Sequence, residues 1–165
     1  MANDLVTRRS SEAVDVSNEA AQQYVTVFVA NQMFGFPVLD VHDVLGPQRI
    51  TRIPLSPPEV AGSLNLRGRI VTAVDMRRRL SLPPAEDGTG KGMSVVVECQ
   101  GELYSLMVDQ VGEVLNLSHE AFEHNPSTLD PMWREVSSGI YRLDKQLLVL
   151  IDVDRLLDFS RSQAA

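Results

Sequence analysis

The chain has 165 residues, of which 44% are hydrophobic and 22% are charged, and its net charge is −7. This length and composition fit one ordinary globular domain or two very small ones, and they exclude a chain that is disordered throughout. The acidic balance and an aromatic content of 5% argue against a dedicated nucleic-acid-binding protein, which normally needs a positive surface and stacking rings.

Short β-hairpins dominate the predicted secondary structure. Residues 1–22 are polar and predict a flexible N-terminal arm. After the arm, runs rich in β-branched and aromatic residues alternate with two-residue turns at Asn31-Gln32, Arg67-Gly68, Gln100-Gly101 and Asp144-Lys145. The flanking strands are predicted at 24–29 and 33–38, 63–66 and 69–75, 93–99 and 102–108, and 139–143 and 146–152.

Helical signals are few and short. Ser56–Gly62 has a Ser cap, an early Pro and a terminal Gly, which predict one helical turn. Residues 77–80 predict a second turn, and Asp154–Phe159 predicts a short amphipathic helix. Residues 82–92 are rich in Pro and Gly and predict a linker.

The sequence contains an internal repeat. An offset of 70 residues places Val41–Leu45 on Val111–Leu115, and both segments read V-x-[D/E]-V-L. Seven extra residues within 116–138 reconcile this offset with a second offset of 77. At the offset of 77, Gly62, Leu66, Asp75, Arg78 and Leu80 fall on Gly139, Leu143, Asp152, Arg155 and Leu157.

The repeat predicts two similar β-modules of about 60 residues each, with chance matching of Val- and Leu-rich strands as the alternative. Modules of this size with five or so strands form small barrels that are filled by their own side chains. Binding is therefore expected on the outer surface or in the groove where the two modules meet.

Neither membrane insertion, secretion nor catalysis is predicted. The longest apolar run, Leu147–Ile151, is far shorter than the ~20 residues of a membrane helix, and residues 1–9 lack the apolar core of a secretion signal.

The single cysteine, Cys99, excludes an internal disulfide and is expected to be a buried strand residue. His119 and His124, five residues apart, are rotated by about 140° on a helix and cannot share a metal ion there. Three carboxylates that end apolar strands are expected to cap the following turn or helix: Asp75, Asp109 and Asp152.

The remaining candidates are charged residues in the first half of the chain. Between residues 49 and 79 there are seven arginines and only two acidic residues. Asn65–Arg69 places two of these arginines around a tight turn, where their planar heads suit carboxylates of a partner and a solvated hairpin tip is the alternative. Val41 and Asp43 share one face if their segment is extended, and a half-buried strand edge is the alternative there.

The run from Val60 to Arg77, V-A-G-S-L-N-L-R-G-R-I-V-T-A-V-D-M-R, closely resembles the signature of the CheW family of bacterial chemotaxis coupling proteins. The family pattern is a Gly, then Asn-Leu-Arg-Gly, an apolar strand and Val-Asp-Leu-Arg. The similarity extends over residues 23–159, and three positions depart from the family pattern. Thr72 stands in place of the usual Pro, Asp43 in place of a frequent Glu, and Ser105 in place of a common Gly. Further matches are Val41-x-Asp43-Val44, Thr51–Pro54, Met107-Val108-Asp109-x-Val111 and Leu148–Val153.

The resemblance implies a mainly β fold, with two SH3-like five-stranded barrels packed side by side and a few short helices. The implied division is an arm at 1–22, a first barrel at 23–81, a linker at 82–92 and a second barrel with a C-terminal helix at 93–165. By motif match, protein binding is assigned to Val41, Asp43, Asn65, Arg67, Gly68, Ser105 and Val108.

The resemblance also implies a non-catalytic cytoplasmic adaptor without cofactor or metal, recruited to membrane-associated receptor arrays. Its expected partners are the regulatory domain of a chemotaxis histidine kinase, bound mainly on the first barrel, and the cytoplasmic tip of a chemoreceptor, bound in the groove. Nucleic acid is not an expected partner. An adaptor in another kinase pathway, such as surface motility, is the main alternative, and a small-barrel nucleic-acid binder using residues 49–79 is a weaker one. The ending after residues 158–161, without a linker or further motif, disfavours a fragment of a larger protein.

Overall fold

In a computed structural model, residues 21–84 and 92–158 are described, and they form two five-stranded sheets with a few short helices. The mainly β architecture predicted from the sequence is confirmed. Most of the predicted arm and linker lies outside the described residues. Ala21 and Gln22, which were assigned to the arm, are the first residues of a strand and pair with Ser118 and Leu117.

The strands form two sheets, which we call sheet 1 and sheet 2. Sheet 1 contains, in spatial order, β3 (Val41–Leu45), β6 (Met93–Cys99), β7 (Glu102–Val108), β5 (Arg69–Asp75) and β4 (Val60–Leu66). Sheet 2 contains β8 (Gln110–Ser118), β1 (Ala21–Val29), β2 (Gln32–Pro37), β10 (Leu147–Ile151) and β9 (Ser137–Arg142). The helices are α1 (Met76–Arg79), α2 (Pro131–Val136) and α3 (Val153–Leu156), with 3₁₀ turns at Val38–Asp40 and His119–Ala121.

Each sheet takes strands from both halves of the chain. Strands β1 and β2 join β8, β9 and β10, whereas β6 and β7 join β3, β4 and β5. The sheets therefore do not follow the division at residues 23–81 and 93–165 that the sequence suggested. Two parallel ladders join strands from different halves of the chain, β2 with β10 in sheet 2 and β5 with β7 in sheet 1. Turn residues specify which strands form a hairpin, but they carry no information on which hairpins pair with each other.

The predicted hairpin turns are confirmed, with one shift. The turn residues Ala30 and Asn31 have φ of 51° and 68°, so the first turn lies one residue earlier than predicted. Arg67 and Gly68 have φ of 53° and 85°, as required by the tight turns that match the twist of paired strands. Gln100 and Gly101 show the same pattern, and the fourth connection is closed by a bond from Leu143 N to Gln146 O.

Two of the three predicted helical turns are confirmed. Asp75 caps α1 by accepting from the backbone of Arg77 and Arg78, and Asp152 caps α3. The turn predicted at Ser56–Gly62 is wrong, because β4 already begins at Val60 and pairs with β5. The local cap-like pattern was overridden by this long-range pairing.

The internal repeat is confirmed at the level of strand register. The pair Val27–Phe34 in sheet 2 corresponds to Val97–Tyr104 in sheet 1, at an offset of 70 residues. The two β-bulges near Gly62 and Gly139 correspond at an offset of 77. The extra residues of the second repeat include α2, which lies between β8 and β9.

Hydrophobic side chains form three cores. One core lies within sheet 1 around Leu64, Val71 and Val96, and another within sheet 2 around Tyr24 and Leu148. The largest core lies between the sheets, where inward-facing side chains of both meet the three helices. We call sheet 1 with its core the first barrel and sheet 2 with its core the second barrel, in place of the division at 23–81 and 93–165. Burial of a shared apolar surface holds the two together.

Candidate functional site

The turn between β4 and β5 presents a rigid polar tip. Asn65 Oδ1 accepts a hydrogen bond from Gly68 N at 2.9 Å, which closes the turn across its base. Arg67 occupies a left-handed conformation, with φ of 53°, and its side chain is 79% exposed. Gly68, with φ of 85°, supplies the second left-handed residue without a steric penalty. The Arg67 guanidinium is therefore held outward from a well-defined backbone.

Asp43 pairs with this turn from the opposite end of the sheet. Its Oδ2 lies 3.0 Å from Arg67 Nη2, and its Oδ1 accepts from Val44 N at 2.9 Å. Oδ2 is shielded from solvent, and the ion pair with Arg67 lacks hydrogen-bond alignment. Since β3 and β4 are the two end strands of sheet 1, this ion pair connects ends that share no ladder in the described residues. Asp43, Asn65, Arg67 and Gly68, four of the seven predicted binding residues, are thus brought together.

Val41 does not share a face with Asp43, contrary to the sequence prediction. A β-bulge separates the two residues, so that Val41 lies opposite Val97 and Asp43 opposite Val96. Val97 belongs to the core between the sheets and Val96 to the core inside sheet 1. Val41 accordingly packs against the central core, whereas Asp43 pairs with a residue of the sheet 1 core.

Ser105 and Val108, predicted as binding residues, are buried. Ser105 is 0% exposed, and its strand partners are Ala73 and Val96 of the sheet 1 core. Val108 is 3% exposed and belongs to the core between the sheets. Neither side chain is available to a partner on the surface described here. The reason is the alternation of β7, whose successive side chains enter one core or the other.

Exposed apolar side chains that the sequence reading missed flank the cluster. Ile70 is 78% exposed and lies directly across the ladder from Asn65. Val44 is 39% exposed and follows Asp43. The exposure of Ile70 was predictable from the alternation of β5. Val71 and Ala73 face the sheet 1 core, so the side chain of Ile70 lies on the other face of the strand. We call Asp43, Val44, Asn65, Arg67 and Ile70 the β4–β5 surface.

The arginine-rich segment does not form one basic surface. Arg79 is buried, with 2% exposure. Arg77 binds Asp109 through Nε at 3.1 Å and Nη2 at 2.6 Å, and donates from Nη1 to Pro83 O. Two of the seven arginines are therefore committed to internal contacts. The remaining five are exposed: Arg49, Arg52, Arg67, Arg69 and Arg78.

Asp109 does not cap the turn that follows it, contrary to the prediction, because its carboxylate binds Arg77 and the β1–β2 turn. In addition to Arg77, it accepts a hydrogen bond from Ala30 N at 2.8 Å. Burial acts to raise the pKa of Asp109, but the hydrogen bonds from Arg77 and Ala30 and the charge of Arg77 outweigh it and lower the pKa. Asp109 thereby connects the β1–β2 turn of sheet 2 to α1, which follows sheet 1.

Cys99 is only half-buried, contrary to the expectation of a buried strand residue. Its Sγ lies 3.3 Å from Asp154 Oδ1, in a surface cavity of about 480 Å³ that Tyr104 and Leu157 also line. Burial first, and then the hydrogen bond to the Asp154 carboxylate, raise the pKa of the Cys99 thiol to about 11. A thiol with this pKa is overwhelmingly protonated at neutral pH and is a poor nucleophile.

The histidines lie on exposed segments. His42 Nε2 is 4.0 Å from Glu98 Oε2, in an exposed contact. His119 and His124 lie on either side of Phe122, one ring stacked on it at 5.9 Å and the other edge-on at 5.6 Å. Across residues 21–84 and 92–158, no three His, Cys, Asp or Glu side chains are grouped so as to hold a metal ion. None of the helices in those ranges is long and apolar enough to cross a bilayer.

Comparison with known proteins gives a consistent result. A family model described as the CheW-like domain matches residues 23–161. The chain is 28% identical over 155 residues to a probable chemotaxis protein CheW of Rhizobium etli, covering 94% of this chain and 99% of that protein. It is 27% identical to the chemotaxis protein CheW of Klebsiella aerogenes, covering 82% and 81% of the two chains. The crystal structure of the scaffolding protein TtCheW from Thermoanaerobacter tengcongensis superposes with a TM-score of 0.72 at 27% identity, covering 83% of this chain and 92% of that one.

Proposed function

The chain belongs to the CheW-like family of non-catalytic chemotaxis scaffold proteins, and from this premise we propose that it couples chemoreceptor tips to a histidine kinase. In this proposal it acts in the cytoplasm, at membrane-associated receptor arrays. Its partners are the kinase regulatory domain, bound mainly on the first barrel, and a receptor tip in the groove between the barrels.

The observation that carries the proposal is the β4–β5 surface. Besides the charged pair of Asp43 and Arg67, it contains two exposed apolar residues. Val44 follows Asp43 in β3, and Ile70 pairs with Asn65 across the β4–β5 ladder. Protein interfaces commonly combine an apolar centre with a polar rim, and a guanidinium is a frequent anchor among them. The turn is pre-ordered by the Asn65–Gly68 hydrogen bond, so little conformational entropy is lost when a partner binds it.

The weak ion pair between Asp43 and Arg67 allows a partner carboxylate to replace Asp43 on the Arg67 guanidinium. Arg67 is mostly exposed, so its contact with Asp43 is worth at most about 1 kcal/mol after screening by solvent. A partner carboxylate that binds Arg67 in hydrogen-bond alignment offers a stronger contact than the unaligned one to Asp43 Oδ2. The ion pair is therefore readily replaced on binding.

Coupling follows from two partner sites on one body. The shared core between the sheets keeps the barrels together while kinase and receptor are both bound. Each contact need only be weak, because an array raises the effective concentration of each partner for the other. A change in the receptor then reaches the kinase through a shift in the populations of the bound states.

The experiment is calorimetric titration of the full chain with the regulatory domain of a chemotaxis kinase from the same organism, at low and at physiological salt. Saturable one-to-one binding that persists at physiological salt is expected, followed by receptor-dependent kinase activation when receptor fragments are added. Absence of binding to that kinase, with binding to a kinase of another pathway, would instead support the surface-motility alternative. Binding to nucleic acid that collapses with salt would support the basic-surface alternative, which the internal contacts of Arg77 and Arg79 already disfavour.

A further inference from the structure

The three short helices meet at one place, on the core between the sheets. Helix α1 directly follows β5 of sheet 1, and α3 directly follows β10 of sheet 2. Helix α2 lies in the extra segment of the second repeat and leads into β9 of sheet 2. Apolar side chains of all three, including Met76, Val136 and Leu156, belong to the central core. Contacts among these helices therefore connect one sheet to the other.

Arg79 of α1 binds the end of α3. Its Nε donates to Leu156 O at 2.5 Å and its Nη2 to Arg155 O at 3.1 Å. Its Nη1 lies 3.5 Å from Met132 Sδ of α2. The last carbonyl groups of a helix have few partners within it, and here Arg79 adds donors to Leu156 O and to Arg155 O, which also accepts from Asp158 N. A single side chain of the sheet 1 half thus holds two helices of the sheet 2 half.

Trp133 makes the reciprocal contact. Its Nε1 donates to Leu80 O, at the end of α1, at 3.0 Å. Its ring packs edge-on against Phe34 of sheet 2, with ring centroids 5.4 Å apart. A side chain of the sheet 2 half therefore binds the helix end of the sheet 1 half. We call Arg79, Trp133 and the two helix ends they bind the helix clasp.

Stability alone does not account for Arg79. The residue is 2% exposed, and placing a guanidinium there removes it from water at a substantial cost. At the equivalent position of the second repeat, 77 residues later, the chain has Leu156, which is fully buried in the same core. An apolar side chain thus satisfies the packing requirement of this position. The planar guanidinium makes directed hydrogen bonds, because its donors are fixed relative to one another. It therefore selects one arrangement of the carbonyl groups at the end of α3.

We propose that the helix clasp fixes the orientation of the two barrels relative to each other, with Arg79 as its principal positioning residue. The groove between the barrels depends on that orientation, whereas a surface on the first barrel alone does not. This consequence rests on the proposed function, in which the receptor tip binds the groove and the kinase binds mainly the first barrel. The orientation itself is measurable without any partner.

The first test measures the distance between the sheets by double electron–electron resonance. In a Cys99→Ser background, spin labels are placed at Asn116→Cys in sheet 2 and Ile70→Cys in sheet 1, both exposed positions. The unmodified clasp is expected to give one narrow distance distribution. Arg79→Met is expected to broaden or shift it, whereas Arg78→Met, at an exposed neighbour on the same helix, leaves it unchanged.

A second pair of variants covers the case in which Arg79→Met fails to fold. Arg79→Lys keeps the charge but cannot reproduce the two directed bonds, and Trp133→Phe keeps the ring but removes the donor to Leu80 O. Both are expected to broaden the distribution in protein that shows native far-ultraviolet circular dichroism and a cooperative thermal transition. If these folded variants retain the narrow distribution of the parent protein, the proposal is wrong.

The functional arm compares two affinities of the same variants without labels. Receptor-tip affinity is expected to fall several-fold in Arg79→Lys and Trp133→Phe, with unchanged affinity for the kinase regulatory domain. An equal loss of both affinities would indicate general destabilisation and would count against a positioning role. If the parent protein binds neither partner, the proposed function fails, and the distance measurement still decides whether the clasp sets the orientation.

Discussion

Arg67 Nη2 and Asp43 Oδ2, 3.0 Å apart, connect the two end strands of sheet 1, which share no ladder in the described part of the chain. The Arg67 side chain is 79% exposed, and that of Asp43 is 26% exposed. The same two residues therefore join the sheet ends through a weak ion pair and, in the proposed function, also present charge to a partner.

Arg67→Ala is expected to leave the fold nearly unchanged and to weaken binding of the kinase or receptor. The exposed ion pair contributes at most about 1 kcal/mol to stability, so the thermal transition should move little. Calorimetric titration then reports the loss of the interface contact. Arg69→Ala is the matched control, since Arg69 is an equally exposed arginine at the start of β5. Equal affinities of the parent protein and Arg67→Ala would exclude the proposed role of Arg67.

Ser105→Ala is expected to stabilise the protein. The Ser105 hydroxyl is fully buried and has no hydrogen-bond partner, and an unsatisfied buried hydroxyl costs about 1–3 kcal/mol. Ser137→Ala is the contrasting variant, because the buried Ser137 Oγ donates to Gly139 O at 2.9 Å and contacts Asn125 Oδ1 at 3.1 Å. Chemical denaturation should show a gain for the first substitution and a loss for the second. A loss of stability in Ser105→Ala would mean that its hydroxyl finds a partner in solution.

Stability is expected to fall in acid through Asp109. Hydrogen bonds from Arg77 and Ala30 outweigh the effect of burial and hold the pKa of Asp109 below its value in the unfolded chain, which is about 3.9. The contribution of the ionised carboxylate is therefore fully present above about pH 4 and is lost as the pH falls through the lower folded-state pKa.

The measurement for Asp109 is the free energy of unfolding between pH 7 and pH 2. Asp109→Asn should flatten this profile at its acid end and lower stability at neutral pH, because the charge for Arg77 is removed. Asp144→Asn, at an exposed turn, serves as the control and should leave the profile unchanged. A profile unaffected by Asp109→Asn would show that the contact with Arg77 contributes nothing to stability.

Cys99 is expected to react slowly with alkylating reagents. Its pKa of about 11, raised by burial and by Asp154, makes the thiolate about a hundredfold scarcer at pH 8 than in a cysteine with a pKa of 9. The rate of iodoacetamide modification should keep rising with pH up to about 11. Asp154→Asn should lower the pKa and increase the rate at pH 8. A rate like that of a free thiol would contradict the protonated, hydrogen-bonded state of Cys99.

The sequence by itself determined the hairpins, the capping carboxylates and the internal repeat. These features depend on local chemistry: left-handed turn residues such as Arg67-Gly68 and Gln100-Gly101, and Asp side chains that accept from the next turn of backbone. The motif around Asn65 and Arg67 also located the exposed part of the candidate site. Residues close in the chain are the ones whose geometry such patterns specify.

Only the tertiary structure decided which hairpins share a sheet and which predicted site residues are accessible. The exchange of β1–β2 and β6–β7 between the sheets depends on long-range parallel pairing, which no turn residue encodes. The same pairing directs Ser105 into a barrel core, Val108 into the central core and Arg79 onto the end of α3. Burial is a property of what packs against a residue, and these residues pack partly against distant ones: Ser105 pairs with Ala73, and Arg79 binds Leu156 O, more than thirty positions away in each case.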